Sequence, residues 1–385
     1  MPCEMWVIDS EPRLKRFLLR ERLLKLLVQP GDGVSPIVEA IHSAKKSVEI
    51  LIFRFDKTEV ERALANAVSR GVLVQALIAY TNRGGERGLR KLEMRLLAAG
   101  VTVARTSDDL ARYHGKMMIV DRRTLFLLAF NFTSLDVDHS RSFGVITKHP
   151  KLVDEALKLF EADSQRQPYV PGSPSFLVSP LNARKQLAAF IKGAKKELLI
   201  WDPEVSDAAM VRLLEERAKA GVDVKIIGRL TKRGSKLSVR KLARRLHTRT
   251  IIRDGRQGFI GSQSLRELEL NARREIGLIF REPKIVSRLC KIFEEDWAAT
   301  VDPQIAVDVA AEGTPIGKVA KRVVKHVIKD MPCVNPLVDE IVKELREETG
   351  MHVNAKEVQE SVRVAVKEAV RDAVEDAVTQ NGVVQ

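Results

Sequence analysis

The sequence predicts an α/β protein built from two similar lobes, with a helical extension after the second. Three observations carry that expectation. Helix and strand patterns alternate from Ser35 onward, short residue groups recur between the two halves, and each half holds an apolar strand led by a histidine and a cation.

Residues 11–28 (EPRLKRFLLRERLLKLLV) read as a basic helix that stops before Gln29-Pro30-Gly31, docked on the first lobe or lying on a membrane surface. From Ser35 the first lobe follows. Ile37 to Lys46 is helical, Val48 to Phe55 a strand, and Thr58 to Arg70 a helix stopped by Gly71. Val72 to Ala79 is a strand, Gly88 to Ala99 a helix stopped by Gly100, and Val101 to Ala104 a short strand. His114 to Val120 and Leu125 to Phe130 complete the lobe as a strand pair.

Gln165-Arg166-Gln167-Pro168-Tyr169-Val170-Pro171-Gly172-Ser173-Pro174 is a linker by composition, and after it the pattern repeats. Ala44-Lys45-Lys46 recurs as Ala194-Lys195-Lys196 and Gly71-Val72 as Gly221-Val222, both at an offset of 150. The copies close alike, with Phe160-Glu161-Ala162-Asp163 and Phe293-Glu294-Glu295-Asp296. The expected boundaries are an N-terminal basic helix over 1–32, lobe one over 33–165, a linker over 166–175, lobe two over 176–300 and the helical extension over 301–385. In that extension Val362, Val366, Val370, Val374 and Val378 form a stripe at helical spacing, which suits packing on the body or on another chain.

Composition narrows the function classes. Apolar content of 45% and charged content of 30% over 385 residues suit two globular cores. A formal charge of +14 points to a polyanionic partner, either an anionic lipid surface or nucleic acid. Cys3, Cys290 and Cys333 are too few and too scattered for a disulfide framework or a zinc cluster. No apolar run reaches spanning length, and Leu23 to Val28 is too short, and too interrupted by Lys25, for a signal peptide. A reducing, cytoplasmic setting is the expectation.

The chemistry-bearing stretch is Tyr113-His114-Gly115-Lys116-Met117-Met118-Ile119-Val120-Asp121. Alternation along a strand turns His114 and Lys116 to one side. An imidazole beside an ammonium suits attack on a phosphodiester: the cation neutralises phosphoryl oxygens, while the imidazole attacks phosphorus or moves a proton. The same spacing returns as His247-Thr248-Arg249-Thr250-Ile251-Ile252-Arg253-Asp254, with Arg249 in the place of the lysine. One such match is weak; a duplicated match in a duplicated frame is not. Leu230 to Arg249 carries eight basic residues and no acid, and leads into the second motif as an expected rim of the site. It has no aromatic residue, and the chain is only 5% aromatic, so platforms for stacking bases are not evident.

Two His-x-Lys/Arg-x4-Asp motifs in two similar halves resemble the phospholipase D superfamily, from about Ser35 to Trp297. The resemblance implies a two-lobed fold and phosphodiester chemistry without a metal or other cofactor, in which one histidine forms a phosphohistidine and the other protonates the leaving alcohol. It implies catalytic roles for His114, Lys116, His247 and Arg249. Family members follow each motif with Gly-Ser-x-Asn. Here the first slot reads Leu128-Ala129-Phe130-Asn131 and the second Gly261-Ser262-Gln263-Ser264, so Asn131, Ser262 and Ser264 are the supporting candidates. Glu275 fits the place of a glutamate that supports His247, while Ser142 stands at the matching place in the first half and leaves His114 without one. Asp121 and Asp254 are expected to cap turns or pair with nearby cations. Three functions fit: a phospholipase D-type phosphodiesterase or phosphatidyltransferase at a membrane, a nuclease of the same superfamily, or a polyanion binder with a decayed site.

Overall fold

Apolar residues at every second position decide how the strands bury both faces. In Ser47–Ile52, Val48, Ile50 and Ile52 enter one core while Leu51 enters another; Met118 and Val120 part from Met117 and Ile119 in the same way. In the computed structural model, which describes residues 24–80, 86–231 and 237–301, these strands build two mixed sheets.

The first sheet runs Leu24–Gln29, Ser140–Thr147, Thr124–Leu128, Met117–Val120, Ser47–Ile52, Leu73–Ile78, Thr102–Arg105. The second runs in the same order: Phe176–Val178, Ile276–Phe280, Gln257–Gly261, Arg249–Arg253, Glu197–Val205, Asp223–Leu230, Ser238–Leu242, with Thr300–Val301 added at the edge. In each sheet the Ser47–Ile52 or Glu197–Val205 strand pairs parallel to the next strand outward and antiparallel to the strand after the histidine motif. Two similar lobes follow, as the duplication predicts.

Helices Ser35–Ser43, Thr58–Ser69 and Glu86–Ala98 cover the outer face of the first sheet; Ala183–Lys192 and Ala208–Lys219 cover that of the second. The inner faces share one core. Leu51, Met117, Leu127 and Phe143 from the first sheet meet Trp201, Ile252, Ile260 and Leu278 from the second, and helices Pro150–Gln165 and Pro283–Ala298 pack against both. Because that core is shared, the lobes hold one another in register.

The end of the basic helix expected over residues 11–28 is not helical. Leu24–Gln29 is a strand paired antiparallel with Ser140–Thr147, and it belongs to lobe one. Leu26 and Val28 point into the shared core and Leu27 into the outer one, a two-sided burial that period-two geometry satisfies. Residues 11–23 of that expected helix and the valine stripe of residues 362–378 lie outside the described residues. Residues 166–175 carry no helix or strand.

The motif aspartates close equivalent turns. Asp121 takes φ 53° and Asp254 φ 55°, left-handed positions that aspartate tolerates. The Asp121 carboxylate accepts from the backbone N–H of Lys45, Lys46 and Ser47, and Asp254 does the same for Lys195, Lys196 and Glu197. Both therefore tie the start of a central strand to the turn after the motif, away from the histidines. Asp121→Ala and Asp254→Ala should each cost about 1 kcal/mol, since the released N–H groups reach water, and the losses should add because the sites lie in different lobes. Urea unfolding of the single and double variants checks both statements.

Candidate active site

Each motif histidine sits in the short irregular stretch just ahead of its strand. Met117–Val120 and Arg249–Arg253 are the strands, so the strand expected from His114 starts three residues later than the sequence suggests. The reason is that the chain around each histidine pairs with the opposite lobe instead. Arg112–Tyr113 runs parallel to Arg273–Arg274, and the His114 N–H donates to the Arg274 carbonyl at 2.8 Å. Arg245–Leu246 runs parallel to Ser140–Thr147, and the His247 N–H donates to the Arg141 carbonyl at 3.0 Å.

The side chains cross in the same way. The Glu275 carboxylate lies 2.9 and 3.0 Å from His114 Nδ1, which assigns the proton to Nδ1 and makes Nε2 the acceptor. Lys116 Nζ donates to Nε2 at 2.7 Å. Phe53 packs edge-on against the imidazole at 4.5 Å between centroids. Across the site, Asp136 Oδ2 stands 3.3 Å from His247 Nδ1, and its Oδ1 accepts from Arg245 at 2.6 Å. Thus Glu275 serves His114, and the expectation that it supports His247 is corrected. The carboxylate at His247 is Asp136, which the sequence reading did not single out.

One sequence signal marks Asp136 as an acid of the site, though not as the partner of His247. The halves align at an offset of 133 around the motifs (247 − 114), and that offset pairs Asn131 with Ser264 and Asp136 with Glu269. The two acids act alike: Asp136 accepts from the Asn131 N–H at 2.8 Å and Glu269 from the Ser264 N–H at 2.6 Å. The Asn131 side-chain amide also donates to Asp136, at 2.7 Å. Arg249 Nε donates to Ser264 Oγ at 3.0 Å, and its Nη2 lies 3.9 Å from Glu269. Ser262 exchanges hydrogen bonds with the Ile276 backbone, and its hydroxyl helps to oppose the rise in the Glu275 carboxyl. Of the basic run, Arg245 turns into the site while Arg240, Lys241 and Arg244 are exposed; Lys232, Arg233 and Lys236 lie outside the described residues.

Electrostatics join the two halves of the site. Burial, with Lys116, Arg249, Arg112 and Arg273 adding to it, holds the His114 imidazole well below 6.5. Burial does the same to His247 against the pull of Asp136, with Arg245, Arg249 and Lys116 adding to it. Each histidine thus feels the cation of the other motif. Burial lowers the Lys116 ammonium against the attraction of Glu275, and burial raises Glu275 although Lys116 and Arg273 oppose it. Burial also pushes up Asp136, but His247 and Arg245 outweigh it and hold the carboxyl well below the carboxylate range. Asp202, buried and close enough to feel Arg249 and Glu269, is pushed up to about 7. Cations and carboxylates are thus interleaved around the two imidazoles, with Lys116 and Arg249 facing Glu275, Asp136 and Glu269. Among the described residues no group of three or more His, Cys, Asp or Glu is arranged to hold a metal ion.

The family model described as "Cardiolipin synthase, PLD-like domain" matches residues 37–164, the first lobe. By these matches the chain is similar to proteins of the phospholipase D superfamily. The mitochondrial cardiolipin hydrolase of Danio rerio is 33% identical over 136 residues, which cover 33% of this chain and 57% of that one. A phospholipase D of Rickettsia felis is 24% identical over 155 residues, 39% of this chain and 75% of that one. Two solved structures share the fold across both lobes. Phosphatidylserine synthase from Haemophilus influenzae superposes with a TM-score of 0.54 at 12% identity, covering 75% of this chain and 90% of its own. Polyphosphate kinase from Porphyromonas gingivalis gives 0.60 at 18%, covering 74% of this chain and 52% of its own.

Two buried neutral histidines also make stability depend on pH. Their folded pKa values lie below the unfolded value of 6.5, so the stability tied to keeping them neutral is present above that value and is lost as pH falls below it. His247→Gln should flatten the decline of the melting temperature below pH 6.5 relative to the parent, as read by calorimetry across the acid range.

Proposed function

We propose that this chain is a phospholipase D-type phosphodiesterase that cleaves or transfers the phosphoryl group of a phospholipid at an anionic membrane surface. The observation that carries the reading is the crossed pair, His114 with Glu275 and His247 with Asp136, each beside a motif cation. His114, kept neutral with Nε2 unprotonated, is the nucleophile. Nε2 attacks phosphorus and the bond to the leaving alcohol breaks. His247, which must enter the step as its imidazolium form, gives the alcohol its proton and is left neutral. Water or a second alcohol then gives its proton to His247 and attacks phosphorus, which breaks the P–N bond and frees His114. Lys116 and Arg249 neutralise the phosphoryl oxygens as charge shifts onto them. Lys116 must leave His114 Nε2 for this, and the arriving anion supplies the reason.

Charge also supports the setting. The chain carries +14, its relatives include proteins named for cardiolipin and phospholipase D, and none of the described helices is long and apolar enough to cross a membrane. A peripheral place on a cytoplasmic leaflet fits these facts.

The test offers labelled phosphatidylcholine, phosphatidylglycerol and cardiolipin vesicles, and DNA in parallel, to parent, His114→Ala and His247→Ala. Parent should act on the lipids, and each alanine should remove activity by roughly 10²–10⁴-fold while vesicle binding persists. Activity confined to DNA would make the chain a nuclease, and tight binding without turnover would make it a polyanion binder.

Two further outcomes follow. Arg249→Ala should lower kcat far more than Arg249→Lys, because only alanine removes the charge; a rise in KM alone would mean uniform binding. Since burial lowers both imidazoles from 6.5, the pH profile of kcat/KM should peak on the acid side of neutrality. A maximum at or above neutrality contradicts the assignment.

A further inference from the structure

The closing groups Phe160-Glu161-Ala162-Asp163 and Phe293-Glu294-Glu295-Asp296 take no part in the chemistry above, yet both aspartates are buried. Each meets an arginine from the other lobe. Arg141 of lobe one binds Asp296 of lobe two, with Nε to Oδ2 and Nη2 to Oδ1 both at 2.9 Å. Arg274 of lobe two binds Asp163 of lobe one through Nη2 at 3.1 Å. All four residues obey the offset that relates the motifs (274 − 141 and 296 − 163 both equal 133). Each arginine also holds the end of its own lobe's first strand, Arg141 through the Gln29 carbonyl and Arg274 through that of Ser179.

What makes the pair informative is the backbone of the two arginines. The carbonyl of Arg274 accepts the N–H of His114, and the carbonyl of Arg141 accepts the N–H of His247. Arg274 also directly precedes Glu275, the carboxylate on His114. We propose that the Arg274–Asp163 and Arg141–Asp296 clasps are the positioning pairs of the site, each setting the histidine of the opposite lobe relative to the cleft. The role assigned to turnover rests on the phosphodiesterase reading; the placement of the rings does not.

The clasps are unequal. Asp296 also accepts the Trp201 indole N–H at 3.0 Å, and Trp201 is wedged edge-on between Phe143 and Phe293. At the offset of 150 that relates the central strands, Leu51 stands in lobe one where Trp201 stands in lobe two, and it has no donor to give. Asp163 Oδ2 and Arg274 Nε are left buried without partners. Arg274 instead lies over the Tyr113 ring at 5.4 Å, beside a cavity of about 310 Å³ between the lobes. The clasp behind His114 is therefore single-stranded and looser than the one behind His247.

The experiment uses the full chain labelled for histidine NMR, with Asp163→Asn, Arg274→Lys, Asp296→Asn and Arg141→Lys. Asp163→Asn and Arg274→Lys should shift the backbone amide and Nδ1 proton of His114 and leave those of His247 in place. Asp296→Asn and Arg141→Lys should do the reverse, and Asp296→Asn should lower Tm more than Asp163→Asn, because it disturbs three donors. In the lipid assay each should lower kcat roughly 10- to 100-fold with little change in KM, the signature of misplacement. The proposal is overturned if any of the four folded variants leaves its assigned histidine unmoved, or if each variant shifts both histidines alike. Parent protein that turns over no diester would end the enzymatic reading while the spectra still decide the clasps.

Discussion

Everything at this site depends on one constraint: neither lobe can orient its own histidine. The imidazole of His114 is held by Glu275 and that of His247 faces Asp136, and both backbone N–H groups are bound by carbonyls of the opposite lobe. A lobe folded alone could keep its histidine beside its own cation but would lack the carboxylate that faces the ring. The shared core between the sheets brings that carboxylate in, because Leu51, Met117 and Phe143 cannot be buried without Trp201, Ile252 and Leu278. Hydrophobic burial, which has no direction of its own, thereby enforces polar geometry that tolerates little error.

The reciprocity also explains the charge pattern. Lys116 and Arg249 come from different motifs but act on both histidines, and each depresses the imidazole that is not its own. Buried charge of this kind is costly unless paired, and pairing is what Glu275, Asp136 and Glu269 provide. Glu275 and Asp136 therefore serve twice, as partners of the rings and as counter-charges to the buried cations.

The duplication has been used unevenly. Asp121 and Asp254 keep the same turn in both lobes, with matching φ and matching donors. Nearer the cleft the copies diverge: lysine against arginine, Asn131 against Ser264, Ser142 against Glu275, Leu51 against Trp201. Structural tasks repeat in each lobe, so equivalent residues remain. The proposed reaction, with a nucleophile and an acid, would need two different histidines, and the surroundings of His114 and His247 do differ.

Much of this was legible in the sequence. Period-two and period-3.6 patterns marked most strands and helices, the repeats at 150 and 133 marked two similar lobes, and the spaced His, Lys, Arg and Asp residues marked the motifs, because each of these signals is local or self-comparing. Leu24–Gln29 misled because leucine-rich residues after a basic helical pattern continue its period, and only pairing with Ser140–Thr147 makes them a strand. The partner of each histidine was decided by tertiary structure alone. Glu275 follows the second motif and so reads as a partner of His247, but parallel pairing of Arg112–Tyr113 with Arg273–Arg274 carries it to His114. Sequence order measures distance along the chain, whereas a carboxylate acts through space, and the crossing of the two lobes separates the two measures.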